Sequence, residues 1–333
     1  MIRWKTDVAI VGAGAAGLAA ANALIASGCD VTVVEARDRI GGRAFTIVPP
    51  NGHEAELGAE FIHGKPDEVL ALVRATGAAA LDTVPGMFEF RNGALVESPD
   101  IWELAQRIFR HVDPRAPDRS VDAFLDAVAP SLAGDADKAR IKMLIEGFDA
   151  ARTADAGVIA IAEEWESETN STASRPSSGY APLFAHLAAP VQSRIRFGCI
   201  VEAIRSQERV MVRGTQYGSA FELAADQCIV TVPAGVLRAG SIVFEPALSG
   251  ELRAAIDSIV MGPVVKLILD FDRAFWETAE EGRFADAAFF RHPGAFQAFW
   301  TLLPKRIPRL TAWSGGVAAE RLGSCDVNVY VER

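Results

Sequence analysis

An α/β fold is predicted by three features near the start of the chain. Residues 7–11, Asp-Val-Ala-Ile-Val, are apolar and β-branched enough for a short strand buried on both faces. The Ala-rich residues 15–26 are strong helix formers, and Gly28 supplies a stop at their C-terminal end. Residues 30–34, Asp-Val-Thr-Val-Val, read as a second strand leading into Glu35. Strand, turn, helix and strand within about thirty residues make a βαβ unit. The chain has 333 residues, 50% of them hydrophobic and 23% charged. That balance belongs to a compact protein, and the length favours two domains over one core.

The turn inside the βαβ unit carries the first chemistry. It reads Gly-Ala-Gly-Ala-Ala-Gly over residues 12–17. In such a turn Gly12 permits the sharp exit from the strand, Gly14 lets the backbone approach a pyrophosphate, and Gly17 lets helix and strand pack closely. The helix start offers unpaired N–H groups and the positive end of its dipole to the phosphates. Glu35 follows about 20 residues on, where a carboxylate accepts hydrogen bonds from ribose hydroxyls. Glycines, helix, second strand and acid in register predict a Rossmann-type dinucleotide-binding domain. Gly41-Gly42-Arg43 follows closely. It reads either as a second approach to the diphosphate, with Arg43 as a forked donor, or as a surface loop with solvated arginines.

Charge and cysteines narrow the function classes. Lys and Arg number 33 against 43 Asp and Glu, a formal net charge of −10 without a basic block, which argues against nucleic acid as partner. An acidic surface either attracts a cationic substrate or simply keeps the protein soluble. Cys29, Cys199, Cys228 and Cys325 form no CxxC pair and stand apart from the five histidines. Neither a metal site nor a disulfide framework is expected, and a reducing, cytoplasmic compartment fits. The first residues lack the pattern of a signal peptide. The apolar stretch 8–26 is interrupted by glycines, so no membrane span is expected there.

Further along, residues 101–111 and 121–147 show helical apolar spacing interrupted by Pro114, Pro117 and Pro130. Residues 195–204 and 208–213 alternate as strands do. Lys266 lies inside the apolar, strand-like run Gly262–Phe271. A lysine there is costly to bury without a task or a partner, but alternation equally allows it to face outward.

The run from Val11 to Arg43, closing with Glu-Ala-Arg-Asp-Arg-Ile-Gly-Gly-Arg, resembles the flavin-dependent amine oxidase family. That family includes monoamine, polyamine and L-amino acid oxidases and related histone demethylases. Residues 56–64 (ELGAEFIHG), 225–237 (ADQCIVTVPAGVL) and 310–316 (LTAWSGG) extend the likeness, as do Ser178-Gly179-Tyr180 and Phe275-Trp276. The resemblance covers residues 6–322 in order. It implies an FAD-binding domain built from residues 1–70 and 194–245, and a discontinuous α+β substrate domain from 71–193 and 246–333. It also implies FAD as cofactor, an amine and dioxygen as reactants, and oxidation of a carbon–nitrogen bond with release of hydrogen peroxide.

The same resemblance assigns residues. Lys266 matches the family lysine that holds a water at the reactive flavin nitrogen. His63 resembles the substrate-facing histidine of animal-type polyamine oxidases, which favours a polyamine; its other reading is a surface histidine in a Gly-rich turn. Contacts to FAD are implied for Gly12, Gly14, Ala15, Ala16, Gly17, Glu35, Arg37, Gly42 and Arg43. Gly58 and Ala59 would present backbone to the flavin ring, and Glu60 would touch cofactor or substrate or stand as a solvated turn carboxylate. Val201 would meet the adenine through its backbone, or serve as ordinary strand core. Trp276, Trp300 and Trp313 read as packing rather than as an aromatic cage.

Members of the family continue past the LTAWSGG strand through a helical region and a segment that returns to the FAD domain. The closing residues here, GSCDVNVYVER, do not resemble that continuation, so the chain reads as truncated, with apolar surface exposed and one side of the flavin unwalled. The competing readings are another flavin oxidoreductase of the same architecture, of the L-amino acid oxidase or desaturase type, and a non-catalytic FAD-binding remnant. An L-amino acid oxidase needs an arginine clamp, for which Arg91 is the candidate.

Overall fold

A computed structural model describes residues 1–333 except 84–85, 99–100, 167–172, 325–327, 329 and 331–333. The predicted βαβ unit is present. Strands Val8–Val11 and Val31–Val34 flank the helix Ala15–Ala26. Every residue of both strands is buried, as their unbroken apolar runs require. They form the centre of a four-stranded, all-parallel sheet, with Ile195–Arg196 beside Val31–Val34 and Gln227–Val230 beside Val8–Val11.

Alternation along the Val8–Val11 strand splits its side chains between two cores. Val8 and Ile10, with Val33, pack on Leu18 and Ala21 of the helix and on Val191. Ala9 and Val11, with Val34, pack on Val201, Val212 and Leu223 of a second sheet. Each large aliphatic side chain so buried contributes about 1.5–3 kcal/mol. The second sheet has five strands in the order Ile2–Lys5, Ser219–Ala225, Val210–Gln216, Cys199–Ser206 and Val243–Glu245.

The expected strand 195–204 is two strands in two sheets. Gly198 breaks it with a φ of 66°, a conformation open to glycine, and the chain crosses from the parallel sheet to the five-stranded one. The expected strand 208–213 begins later and runs longer, as Val210–Gln216.

A six-stranded sheet holds Val264–Asp270, Arg309–Gly315, Ala298–Trp300, Ala287–Arg291, Gly86–Arg91 and Ala94–Glu97 in that order. Helices Ile101–Phe109, Val121–Ala127, Asp135–Phe148 and Val158–Glu166 enclose a core around Phe109, Phe124, Leu125, Ile145 and Trp165. The helical spacing over 121–147 forms two helices separated at Pro130, as its interruption there predicts, because a residue lacking an N–H cannot continue the ladder. Ser120 caps the first of them by accepting from Ala123 N at 3.2 Å. Ile62–His63, Ala173–Pro176 and Ala80–Asp82 make a small antiparallel sheet that sets His63 opposite Ala173.

Cys29, Cys199 and Cys228 are free thiols, and Cys325 lies outside the described residues. Among the described residues no helix is long and apolar enough to cross a membrane, and no group of three or more His, Cys, Asp or Glu could hold a metal ion. The connection before Val264–Asp270 carries Ile259, Val260 and Met261 to the surface.

Candidate nucleotide crevice and a buried lysine–carboxylate centre

Close approach rules the glycine turn. Gly12 has a φ of 110°, and a Cβ there would lie 2.7 Å from Thr231 Oγ1. A Cβ on Gly17 would lie 1.9 Å from the Gly12 carbonyl oxygen, so only glycine lets the helix start directly over the strand end. Gly14 begins the helix with extended backbone and no side-chain cap, and Ala15 and Ala16 are exposed in the first turn. That uncapped, exposed end is a natural anion site. Gly42 stands over it: a Cβ on Gly42 would lie 3.4 Å from the Gly14 Cα.

Glu35 is buried at the tip of the second strand. Its Oε2 accepts from Ala13 N at 2.8 Å and its Oε1 from Arg37 N at 3.0 Å. Two N–H donors fix the carboxylate while each oxygen keeps a lone pair for a further donor. The Arg37 and Arg43 side chains are exposed. Arg39, which the sequence reading passed over, builds the loop instead. Its guanidinium donates to the carbonyls of Ile40, Gly42 and Ala44 and lies 4.0 Å from the Phe45 ring centre. Val201 is buried in the five-stranded sheet opposite Gly214, beside an irregularity in the pairing.

A second set of contacts starts from Gly58. A Cβ on Gly58 would lie 1.9 Å from the Arg43 carbonyl oxygen, and Ala59 N donates to that same oxygen at 3.1 Å. The small residues here are thus explained by the backbone of Arg43 pressed against them. Gly58 in turn accepts from Lys266 Nζ at 3.1 Å.

Lys266 lies on the Val264–Asp270 strand with its side chain 6% exposed. Its ammonium donates to Glu60 Oε2 at 2.8 Å. Glu60 Oε1 accepts from Arg175 Nε at 2.8 Å and from Trp300 Nε1 at 2.9 Å. Arg175 also donates to the carbonyls of Thr301 and Leu303 and lies 4.2 Å from the Phe61 ring centre. Burial alone pushes the Glu60 carboxyl upward, but Lys266 and Arg175 outweigh it and hold the group below the usual carboxylate range. Burial pushes the Arg175 guanidinium down, against the pull of Glu60. A cavity of about 300 Å³ borders this centre, lined in part by Glu56, Glu60, Arg175, Ile268 and Arg309.

His63 faces aromatic neighbours: Phe148 edge-on at 5.7 Å and Phe61 at 6.0 Å between ring centres. Burial pushes its pKa below the ordinary value against the opposing field of Glu164, so the imidazole is neutral near pH 7. Beside Phe148, the Asp149 carboxyl is pushed up to about 8 by burial and by Glu164.

Arg175 and Trp300 were missed as polar partners. Their signal in the sequence is faint: Arg175 lies in the short run Ala-Ser-Arg-Pro, and Trp300 in Ala-Phe-Trp. The predicted crevice residues fall into two groups. Gly12, Gly14, Ala15, Ala16, Gly17, Glu35 and Gly42 surround the uncapped helix end; Gly58, Glu60 and Lys266 meet at the buried centre.

The fold and the crevice define a dinucleotide-binding α/β protein with a buried cationic centre beside the nucleotide loop. The sequence model of the flavin-containing amine oxidoreductases matches residues 15–322, and the chain belongs to that family. FAD is the cofactor that this family calls for, and the glycine surfaces, the open helix end and the tethered Glu35 fit it.

The chain is 28% identical over 306 residues to probable polyamine oxidase 4 of Arabidopsis thaliana, covering 83% of this chain and 60% of that protein. It is 29% identical over 302 residues to polyamine oxidase 4 of Oryza sativa subsp. japonica, covering 82% and 61%. It thus spans about 60% of the length of these relatives. Among solved structures, wild-type putrescine oxidase bound to putrescine superposes with a TM-score of 0.79 at 18% identity, covering 98% of this chain and 79% of that one. Cyclohexylamine oxidase from Brevibacterium oxydans IH-35A gives 0.79 at 20% identity with the same coverage. At these identities the likeness is one of fold.

Proposed function

We propose that the protein is an FAD-dependent oxidase of amines, with a polyamine as the favoured substrate. One path of contacts carries the reading. Lys266 Nζ bonds the Gly58 carbonyl, Gly58 rests on the Arg43 carbonyl, and neighbouring Gly42 stands over Gly14 at the helix start. The buried lysine is therefore coupled through two backbone contacts to the edge of the nucleotide crevice.

Bound FAD would supply the acceptor for the hydride equivalent on the carbon beside the amine nitrogen, with dioxygen as the terminal oxidant, reduced to hydrogen peroxide. The protein supplies binding and orientation. The N–H groups of the first helical turn, Ala15, Ala16 and Gly17, receive the diphosphate beside Gly12 and Gly14, and Gly42 and Arg43 close over it. Glu35 receives the ribose, with Arg37 beside it. Val201 would meet the adenine through its backbone, and Gly58 and Ala59 would present theirs to the ring. Lys266 holds a water as a donor, with Glu60 as its partner. His63, neutral at pH 7, accepts a hydrogen bond from the amine or acts as a base that helps control its protonation. The imine then hydrolyses to an aldehyde.

The same reading assigns residues 1–70 and 194–245 to the FAD domain and 71–193 and 246–333 to the substrate domain. The parallel and five-stranded sheets draw their strands from the first set, and the six-stranded sheet from the second, which supports this division. The test is to purify the chain with FAD, record its visible spectrum and add spermine. Bleaching of bound flavin followed by peroxide supports the proposal; bound flavin that no amine bleaches contradicts it.

A further inference from the structure

An ammonium has three N–H donors. Among the described residues, Lys266 spends two of them, on Glu60 Oε2 and on the Gly58 carbonyl. The partner carboxylate is itself committed, since its other oxygen accepts from both Arg175 and Trp300. One negative group thus stands between two buried cations, and the side chains of Glu60, Lys266 and Arg175 are 5%, 6% and 11% exposed. These residues come from the loop after Ala55–Glu56 and from three strands: Ala173–Pro176, Val264–Asp270 and Ala298–Trp300.

We propose that Glu60 is the positioning residue for Lys266. Its carboxylate pins the lysine nitrogen against the Gly58 carbonyl, with a single N–H left for a water or ligand. Arg175 and Trp300 act one step back, by holding Glu60 in the orientation that presents Oε2 to the lysine. For its catalytic consequence the inference rests on the reading of Lys266 as the flavin-side lysine; the placement itself does not depend on that reading.

The chemistry of a Glu60→Gln replacement exposes the role. A glutamine has one acceptor oxygen and one NH₂. The oxygen satisfies two donors on the Arg175 and Trp300 side, so the NH₂ is turned toward Lys266, donor against donor. Lys266 then loses its partner while the shape of the site is kept. Glu60→Asp keeps the charge but falls one methylene short.

The test measures the lysine nitrogen directly in the flavin-free chain of residues 1–333. Trace acetic anhydride is applied at pH 8, and acetylation of Lys266 is read by mass spectrometry against Lys5 and Lys65, both exposed. Glu60→Gln is expected to speed acetylation of Lys266 by about tenfold, since the nitrogen loses its charged hydrogen-bond partner. Lys5 and Lys65 stay unchanged, and Glu60→Asp falls between wild type and Gln. Equal Lys266 rates in wild type and Glu60→Gln overturn the proposal. Because unfolding would expose Lys266 while leaving the already exposed Lys5 and Lys65 unchanged, the Glu60→Gln result counts only with wild-type circular dichroism; should that variant be unfolded, Trp300→Phe with wild-type circular dichroism decides: a rise at Lys266 supports the proposal and no change overturns it. The FAD-loaded protein separates the two readings. If Lys266 acetylation shifts while bleaching by spermine does not, the positioning stands and the catalytic role of Lys266 falls.

Discussion

Lys266 and Glu60, 206 residues apart in the chain, meet at 2.8 Å with side chains almost fully withdrawn from water. Burying such a pair is worthwhile only when every remaining donor and acceptor is served. Here Gly58, Arg175 and Trp300 serve all of them except the third N–H of Lys266, which is left for a water or ligand. The pair joins the loop that lies against Arg43 to the strand that forms one edge of the six-stranded sheet.

Lys266→Met removes one charge and leaves Glu60 with Arg175 and Trp300. The remaining partners limit the damage to roughly 1–3 kcal/mol of stability. Urea unfolding at pH 7 reads this as a lower midpoint with an unchanged slope. A loss above about 5 kcal/mol would mean that Arg175 does not compensate Glu60.

Asp149 gives stability a pH dependence of definite sign. Its folded pKa of about 8 lies above the ordinary 3.8, so the folded state holds a proton that the unfolded state has released. Stability therefore falls as pH rises from about 4 to about 8, by an amount on the order of a few kcal/mol. Asp149→Asn removes this burden. Its melting temperature relative to wild type should climb between pH 5 and pH 8; a constant difference contradicts the assignment.

His63 carries the opposite sign. Its folded pKa is depressed, so stability from this residue is present above the unfolded value of 6.5 and is lost as pH falls through that value toward the folded one. Proton NMR of the imidazole ring should show it titrating below 6.5. A midpoint above 6.5 would place a charge where the account has a neutral acceptor.

Glu35 holds Ala13 N and Arg37 N at 2.8 and 3.0 Å, so Glu35→Ala strips the acceptor from one buried and one part-buried donor as well as the ribose partner. FAD affinity by calorimetry should drop by roughly tenfold to a hundredfold. Unchanged affinity would remove Glu35 from the crevice.

Local chemistry made the nucleotide half of the protein legible. The apolar strands, the glycines and Glu35 lie within one short stretch, and each acts through its own backbone or its nearest neighbours. The buried centre was half visible. Lys266 stood out as a cation in an apolar run, but strand alternation left its facing open, and Glu60 read equally well as a solvated turn. Arg175 and Trp300 come from separate strands, so only tertiary contact brings them to Glu60. The break at Gly198 shows the same limit: alternation identifies strand content, while a single positive φ decides which sheet receives it.

The most direct test of the account is anaerobic mixing of the FAD-loaded protein with spermine, following the visible flavin band in wild type and in Lys266→Met. The account predicts rapid bleaching in wild type and, in the variant, a rate at least about a hundredfold slower with FAD still bound, the scale of losing a placed donor at a reacting centre. Equal bleaching in both proteins would contradict it.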